Sequence, residues 1–491
     1  MSSSGNHAKS GPVAFLFENS LFLVFGAVAA LVWANVDQHS YHNFVHFDLK
    51  QVISDRDGAG SHGHGEPGAA EEHADEDHAG EAHTDAEGAH EGDDDHDGEH
   101  AAEEGEGGHD AGGHGNASGG LRWPHLTVHF LINDILMALF FAIAGKEVWE
   151  SMLPGGALSN PRKAATPLLA TLGGVLGPAA LYLAGALAVG QTGWFGQPGN
   201  LGRGWAIPCA TDIAFSYLVA RMIFGQGHPA IAFLLLLAIA DDAAGLVILA
   251  IAYPQGAMQP AWFLLTAAAV ALCFVFRKMR IQSFWAYLLI PGVMSWFSFQ
   301  FAGVHAALGL VPIIPVLPHA HTDLGIFARK ELDRHDTLNE FEHWWKNPVE
   351  IILGLFGLAN AGVTFSSVGA GTLLVLFGLV VGKPLGITLL TWIAQKILRL
   401  EIPAGMGYRH IVTLGMVAGI GFTVALFVSE AAYPSSNAAY EGVRDAVKMG
   451  ALASFGAGVL AIALGRALGI RPTGAEEDAS SETEAAPAVD L

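Results

Sequence analysis

Three aspartates and a lysine stand where an apolar chain has no ordinary use for them. The stretch "LAIADDAAGLVILAIA" (237–252) carries Asp241 and Asp242 side by side, and the run from Ala230 to Tyr253 holds no other charge. "IPCATDIAFSY" adds Thr211 and Asp212, and "LVVGKPLGITLL" adds Lys383 beside Pro384. As a helix at about 1.5 Å per residue, the run from Ala230 spans about 36 Å, enough to cross a bilayer core of about 30 Å. An ionisable group at that depth is costly unless it lines a water-filled path or meets a partner. Lone polar residues such as Asn133 or Thr423 are accounted for as hydrogen-bonding glue between helices. Three carboxyls and an ammonium ask for more.

The chemistry that suits this set is exchange of a hard monovalent cation against protons. Sodium takes oxygen ligands, which carboxylate, hydroxyl and unwound backbone carbonyl groups supply. On a helix Asp241 and Asp242 point about 100° apart, so they face different partners. Two carboxylates about 6 Å apart repel by roughly 3 kcal/mol at an effective dielectric of about 20, and a proton or a cation relieves that repulsion. A deprotonated carboxyl accepts Na+ and a protonated one gives it up, so competition for the same oxygens couples the two ions. A buried Lys383 needs a counter-charge, and one aspartate of the pair is the natural candidate; a purely structural ion pair between two spans is the rival reading.

Around these groups the chain reads as an all-α polytopic membrane protein. Of its 491 residues, 51% are hydrophobic and 14% charged, with a mean hydropathy of +0.38. Apolar runs predict about twelve spans, near 13–34, 125–148, 164–188, 205–221, 230–253, 260–276, 282–300, 302–318, 349–366, 371–396, 410–432 and 445–469. No small-residue cleavage site follows the first, so it is not read as a cleaved signal. The Gly-rich "GMVAGIGFT" (415–423) and the short fourth span suggest interrupted helices in corresponding positions of two halves, where unwound backbone serves an ion. Cys209 and Cys273 lie inside apolar runs and read as small buried hydrophobes.

Basic residues set the orientation. Arg162, Lys163, Arg221, "RKMR" (277–280), Arg329, Lys330, Arg334, Lys396, Arg399 and Arg409 all fall in loops on one side, whereas "YPQGAMQP" and "SSVGAG" on the other carry none. Both termini (1–12 and the acidic tail 471–491) are therefore placed in the cytoplasm, flanking a membrane body of 13–470. Residues 57–114 hold 20 Asp and Glu and no Lys or Arg, and 474–491 hold six more acids. Taking those twenty and six acids out of the net charge of −23 leaves the rest at +3, which is no nucleic-acid footprint. The insert 48–120, between spans one and two, is low-complexity and cannot build a core. Its His62, His64, His73, His78, His96 and His100, set among carboxylates, could loosely hold a divalent metal, but their irregular spacing argues against a defined zinc site.

In order along the chain, "INDILMALFF", "GWAIPCATDIAF", "AIADDAAG", "GVHAALGLV", "LANAGV", "VGKPLGI" and "GIGFT" resemble the NhaA-type Na+/H+ antiporters of bacterial inner membranes. The resemblance covers 11–46 and 121–470. It implies two inverted repeats, spans three to five and ten to twelve, with broken fourth and eleventh helices crossing at the midplane. It implies that Asp242 and Asp241 bind Na+ and carry protons, that Asp212 and Thr211 belong to the polar site at the helix-four break, and that Lys383 pairs with Asp241. Glu147 matches an acidic residue of a cytoplasmic pH-response region, with Glu342, His343 and His305 as further candidates. The activity implied is electrogenic extrusion of Na+ or Li+ against external protons, serving Na+ and pH homeostasis without a cofactor.

Departures from the family pattern bear on regulation rather than on the ion site. "FEHWWKNPVE" (341–350) keeps Glu342 and His343 of the family's "LEH-x-LHPW" and lacks its second histidine, and Lys146 replaces a leucine before Glu147. The insert replaces a connection that in the family helps to form a homodimer, which leaves dimerisation open. Two other classes compete. An intramembrane aspartyl protease needs carboxylates from different helices and a Gly-x-Gly-Asp signature, which is absent, so the chain is not read as an enzyme. A divalent-metal transporter fed by the His-rich insert is opposed by a body that offers oxygen ligands and few histidines.

Overall fold

The computed structural model describes residues 21–49, 126–192, 201–319, 336–435 and 437–472. Residues 50–125, which hold all of the insert but its first two residues and all of its candidate metal-binding histidines, lie outside the described residues, as do residues 1–20 and the tail from 473 onward. Among the described residues the chain is helical, with an isolated bridge between Asp48 and Thr127 as the only β pairing.

Helices α1 (Leu21–Val36) and α2 (Gln38–Val45) are followed, after the insert, by α3 (Val128–Met152), α4 (Pro161–Thr192), α5 (Ile213–Phe224) and α6 (Pro229–Ala252). Then come α7 (Phe263–Lys278), α8 (284–302), α9 (Thr337–Asn360), α10 (Ala370–Lys396), α11 (Tyr408–Ala418), α12 (Phe422–Ala432) and α13 (Ala438–Ala467). Among the described residues, six helices are long and apolar enough to cross a bilayer, or eight if each of two bent pairs counts as one span. Those pairs are Leu201–Cys209 with α5, bent by 50°, and α11 with α12, bent by 51°.

The other expected spans fall on less regular elements, for local reasons. Residues 302–318 form short 3-10 turns around Pro312 and Pro315 rather than an α-helix, because proline removes backbone donors. Helix α9 begins well before the apolar run, with Asp336 capping its first turn, and carries Glu340, Glu342 and Lys346 in its polar half. Single π turns interrupt α3 at Leu131–Leu136, α8 at Leu288–Gly292 and α10 at Gly378–Gly382. Such turns concentrate at functional positions. Here they hold Asn133 and Asp134 and immediately precede Lys383.

Glycines bring α4 and α10 into backbone contact, as small residues do between helices in lipid. A Cβ on Gly386 would overlap the Gly173 carbonyl, and one on Gly177 would overlap the Gly382 carbonyl. Because backbone is in the way on both sides, Gly386→Val should cost about 3 kcal/mol or more, the upper end for overpacking. The expected result is a clearly lower thermal unfolding midpoint in detergent. A midpoint equal to that of the parent chain would show that the two helices part without penalty.

Candidate functional site

The two bent pairs meet at their breaks. Residues 210–212 leave helical geometry before α5, and residues 419–421 do so between α11 and α12. Backbone groups freed in an apolar surrounding must find partners, and here each break supplies them to the other. Asp212 N donates to Ile420 O at 2.7 Å. Thr211 Oγ1 donates to Ala418 O at 3.2 Å, and Ser216 Oγ donates to Val417 O at 3.1 Å. Gly421 permits the approach, since a Cβ there would lie 2.8 Å from Ala210 O.

Around this junction the charged residues gather. Asp212 caps α5, accepting from Phe215 N at 3.3 Å, and its other oxygen accepts from the Thr423 hydroxyl. Asp241, on α6, accepts from Thr211 Oγ1 at 2.7 Å and lies 3.1 Å from Lys383 Nζ. The lysine side chain is 0% exposed and the aspartate 1%, so the pair is out of water. Lys383 Nζ also donates to Cys209 O at 2.6 Å. Asp242, the next residue on α6, has Glu147, Asp241, Asp212 and Lys383 as its charged neighbours. Asp242 Oδ1 and Asp241 Oδ1 are buried without a hydrogen-bond partner. An unsatisfied buried oxygen costs about 1–3 kcal/mol, more when charged, so each of these two atoms lacks a partner that a proton or a cation would supply.

The pH-response candidates divide between two places. At one end of α3, Lys146 Nζ lies 2.6 Å from Glu150 Oε2 and is hydrogen-bonded to Glu342 on α9. The lysine that stands beside Glu147 in sequence is thus engaged by two carboxylates. Glu147 itself feels Glu342, Lys146 and Lys346. His343 is exposed on α9. His305 does not join them: it is buried, with Nδ1 3.4 Å from Asp134 Oδ1 and its ring 4.7 Å from that of Phe427.

Near the opposite end of α3 lies a polar group that the sequence analysis did not assemble. Glu430 on α12 lies 2.8 Å from Lys448 Nζ on α13 and 3.5 Å from His129 Nε2. Asn133 and Asn360 exchange side-chain hydrogen bonds of 3.0 and 2.8 Å beside it. The available signal was a Glu and a Lys inside apolar runs, in "LFVSEAAY" and "DAVKMGAL". Both lie near predicted span ends, where charge is unremarkable, so only their meeting across two helices distinguishes them.

A family model described as Na+/H+ antiporter 1 matches residues 115–464. The chain is 45% identical over 471 residues to a Na+/H+ antiporter NhaA of Jannaschia sp. (strain CCS1), covering 92% of this chain and 96% of that one. It is 39% identical over 460 residues to an NhaA antiporter of Desulfitobacterium hafniense (strain DSM 10664 / DCB-2), covering 93% and 96% respectively. Against an NhaA antiporter of Geotalea uraniireducens (strain Rf4) the identity is 47% over 351 residues, or 71% of this chain and 88% of the relative.

Proposed function

The chain belongs to the Na+/H+ antiporter 1 family, and from that membership we propose that it exchanges Na+ for protons across a bacterial inner membrane. The observation that carries the reading at residue level is that Asp241 and Asp242 each keep a buried oxygen without a partner, with Asp241 bound to Thr211 at the helix break. Carboxylate, the Thr211 and Thr423 hydroxyls and unwound carbonyls are the hard oxygen donors that dehydrated Na+ takes. Asp242 is the direct Na+ ligand and exchanges its cation for a proton. Asp241 alternates between Lys383, 3.1 Å away, and a proton. A proton load at both carboxyls against one cation moves net charge, so the exchange is electrogenic. Li+, the smaller hard cation, is a second substrate.

The architecture that goes with this reading has twelve spans, with inverted repeats of spans three to five and ten to twelve, and places both termini in the cytoplasm. Glu147, Glu342 and His343 then lie at the cytoplasmic end, where Lys146 ties α3 to α9, and set the pH response. His305 sits toward the outer end and would act from there. A homodimer is compatible with this arrangement. Among the described residues no group of three or more His, Cys, Asp or Glu side chains is set to hold a metal ion, and the divalent-metal alternative gains no support from them.

Everted vesicles containing the protein should lose part of a preformed acid-inside gradient when Na+ or Li+ is added, at neutral to alkaline pH. Neither K+ nor Zn2+ should produce the effect. A gradient that stays intact with Na+ across that range overturns the proposed function.

A further inference from the structure

The helix that carries the aspartate pair and the helix that leads into the second break start side by side, each capped by an imidazole. His228 precedes α6, and its Nδ1 accepts from Ala230 N at 3.1 Å. His410, in the first turn of α11, accepts at Nδ1 from Gly407 N at 3.0 Å. The two rings lie 5.2 Å apart at an interplanar angle of 33°. Phe224, at the end of α5, stacks on His228 at 5.4 Å and lies 6.2 Å from His410. His410 is buried and His228 half-buried.

This arrangement suits neutral rings only. An Nδ1 that accepts a hydrogen bond is bare, so each ring carries its proton on Nε2. A second proton has to go to Nδ1, where it turns the acceptor into a donor pointed at a backbone N–H. The cap is then lost, and a positive charge stands at the positive end of a helix dipole. The charged and titratable groups that face the pair offer no counter-charge: each ring faces the other, and Arg409 adds a positive charge beside His410. Phe224 from α5, Ile231 from α6, Ile411 from α11 and Ile470 from just past α13 share one buried cluster and supply only apolar surface. Burial lowers the pKa of His228 from the ordinary histidine value. With the folded pKa below the unfolded one, its cap contributes fully above about pH 6.5 and is lost as pH falls through the lower, folded value.

We propose that His228 and His410 form an acid-release latch: neutral, they hold the starts of α6 and α11 together, and protonated, they part and stop the exchange. The proposal rests on the function and orientation put forward above, which set the latch at the cytoplasmic face. The step forms one Nδ1–H bond with a proton from cytoplasmic water and breaks the hydrogen bond from Ala230 N or Gly407 N. Helix α6 runs on without interruption to Asp241 and Asp242, and α11 runs on to the break at 419–421, so a shift at either start reaches the ion site. Exchange brings protons inward, and a latch that opens in acid stops that entry once the cytoplasm is acidified. It is separate from Glu147 and Glu342, which lie on α3 and α9.

Na+ uptake into everted vesicles reads the latch, with internal pH fixed, Na+ saturating, and the bath on the cytoplasmic face varied from about pH 8 to about pH 5.5. The test variant combines His228→Asn with His410→Gln, since asparagine caps a helix and glutamine completes a capping box without titrating. The parent should slow steeply below about pH 6.5; the double variant should match it within about twofold near pH 8 and run about fivefold faster near pH 5.5. Amide hydrogen exchange at 229–234 and 408–413, corrected for its intrinsic pH dependence, gives a readout that needs no transport. Acid should speed it in the parent and leave it unchanged in the double variant. Uptake profiles that superimpose, a double variant lowered equally at every pH, or parent amides whose protection does not fall in acid each overturn the latch. If the double variant fails to accumulate, His228→Asn alone is read in the same way. A parent chain without Na+ uptake near pH 8 is a different failure, that of the function itself, and the amides still report whether the caps release.

Discussion

Asp242→Asn should bring Na+-driven proton release down to background while leaving the protein folded. The substitution keeps the shape of the side chain and removes its charge. At about 2.5 Å from a bound cation, with an effective dielectric of about 20, a carboxylate contributes roughly 7 kcal/mol of attraction. An amide oxygen keeps only a small part of this, and each 1.4 kcal/mol lost is about tenfold in affinity. The asparagine also cannot take up and release a proton, so both halves of the exchange stop together. Because Asp242 Oδ1 has no hydrogen-bond partner to lose, the thermal unfolding midpoint should stay level or rise. Dye-reported gradient loss in everted vesicles and a melting curve in detergent make the two measurements. Exchange above about a tenth of the parent rate at saturating Na+ would remove Asp242 from the role proposed for it.

What the sequence made legible follows from where its signals are local. The helical class and the apolar runs can be read directly, since 24 uninterrupted residues whose only charges are one acidic pair suit little besides a membrane-crossing helix. Asp241, Asp242, Asp212 and Lys383 stand out because each sits mid-run, where charge is expensive. The breaks at 210–212 and 419–421 are foreshadowed by proline and glycine, although not their mutual hydrogen bonding, which joins residues some two hundred positions apart. Proline-rich 302–318 illustrates the limit: it is apolar enough to be read as a span, but Pro312 and Pro315 leave only 3-10 turns. Lys146 is misleading in one dimension, since in sequence it neighbours Glu147, yet its ammonium is turned to Glu150 and Glu342. The His129–Glu430–Lys448 group was illegible because its members come from three helices and each, taken alone, resembles an ordinary span-end residue.

Lys383 gives the second large effect, and it is one of stability before transport. Its side chain and that of Asp241 are both out of water, and the contact between them is 3.1 Å. Removing one member of such a pair strands the other charge, at about 3–5 kcal/mol, whereas replacing both with neutral groups of similar size is often neutral or stabilising. Lys383→Met should therefore lower the unfolding midpoint sharply, and Asp241→Asn combined with Lys383→Met should recover most of the loss. The recovery is expected to be incomplete, because Cys209 O also loses the hydrogen bond it accepts from Lys383 at 2.6 Å. The ordering of single and double variants separates two accounts of the lysine. If Lys383 were charged chiefly to suit the Cys209 carbonyl, the double variant would be no more stable than Lys383→Met alone. If it is there to hold Asp241 until a proton or a cation arrives, the double variant melts near the parent chain, and added Na+, now facing Asp242 alone, stabilises it less than it stabilises the parent.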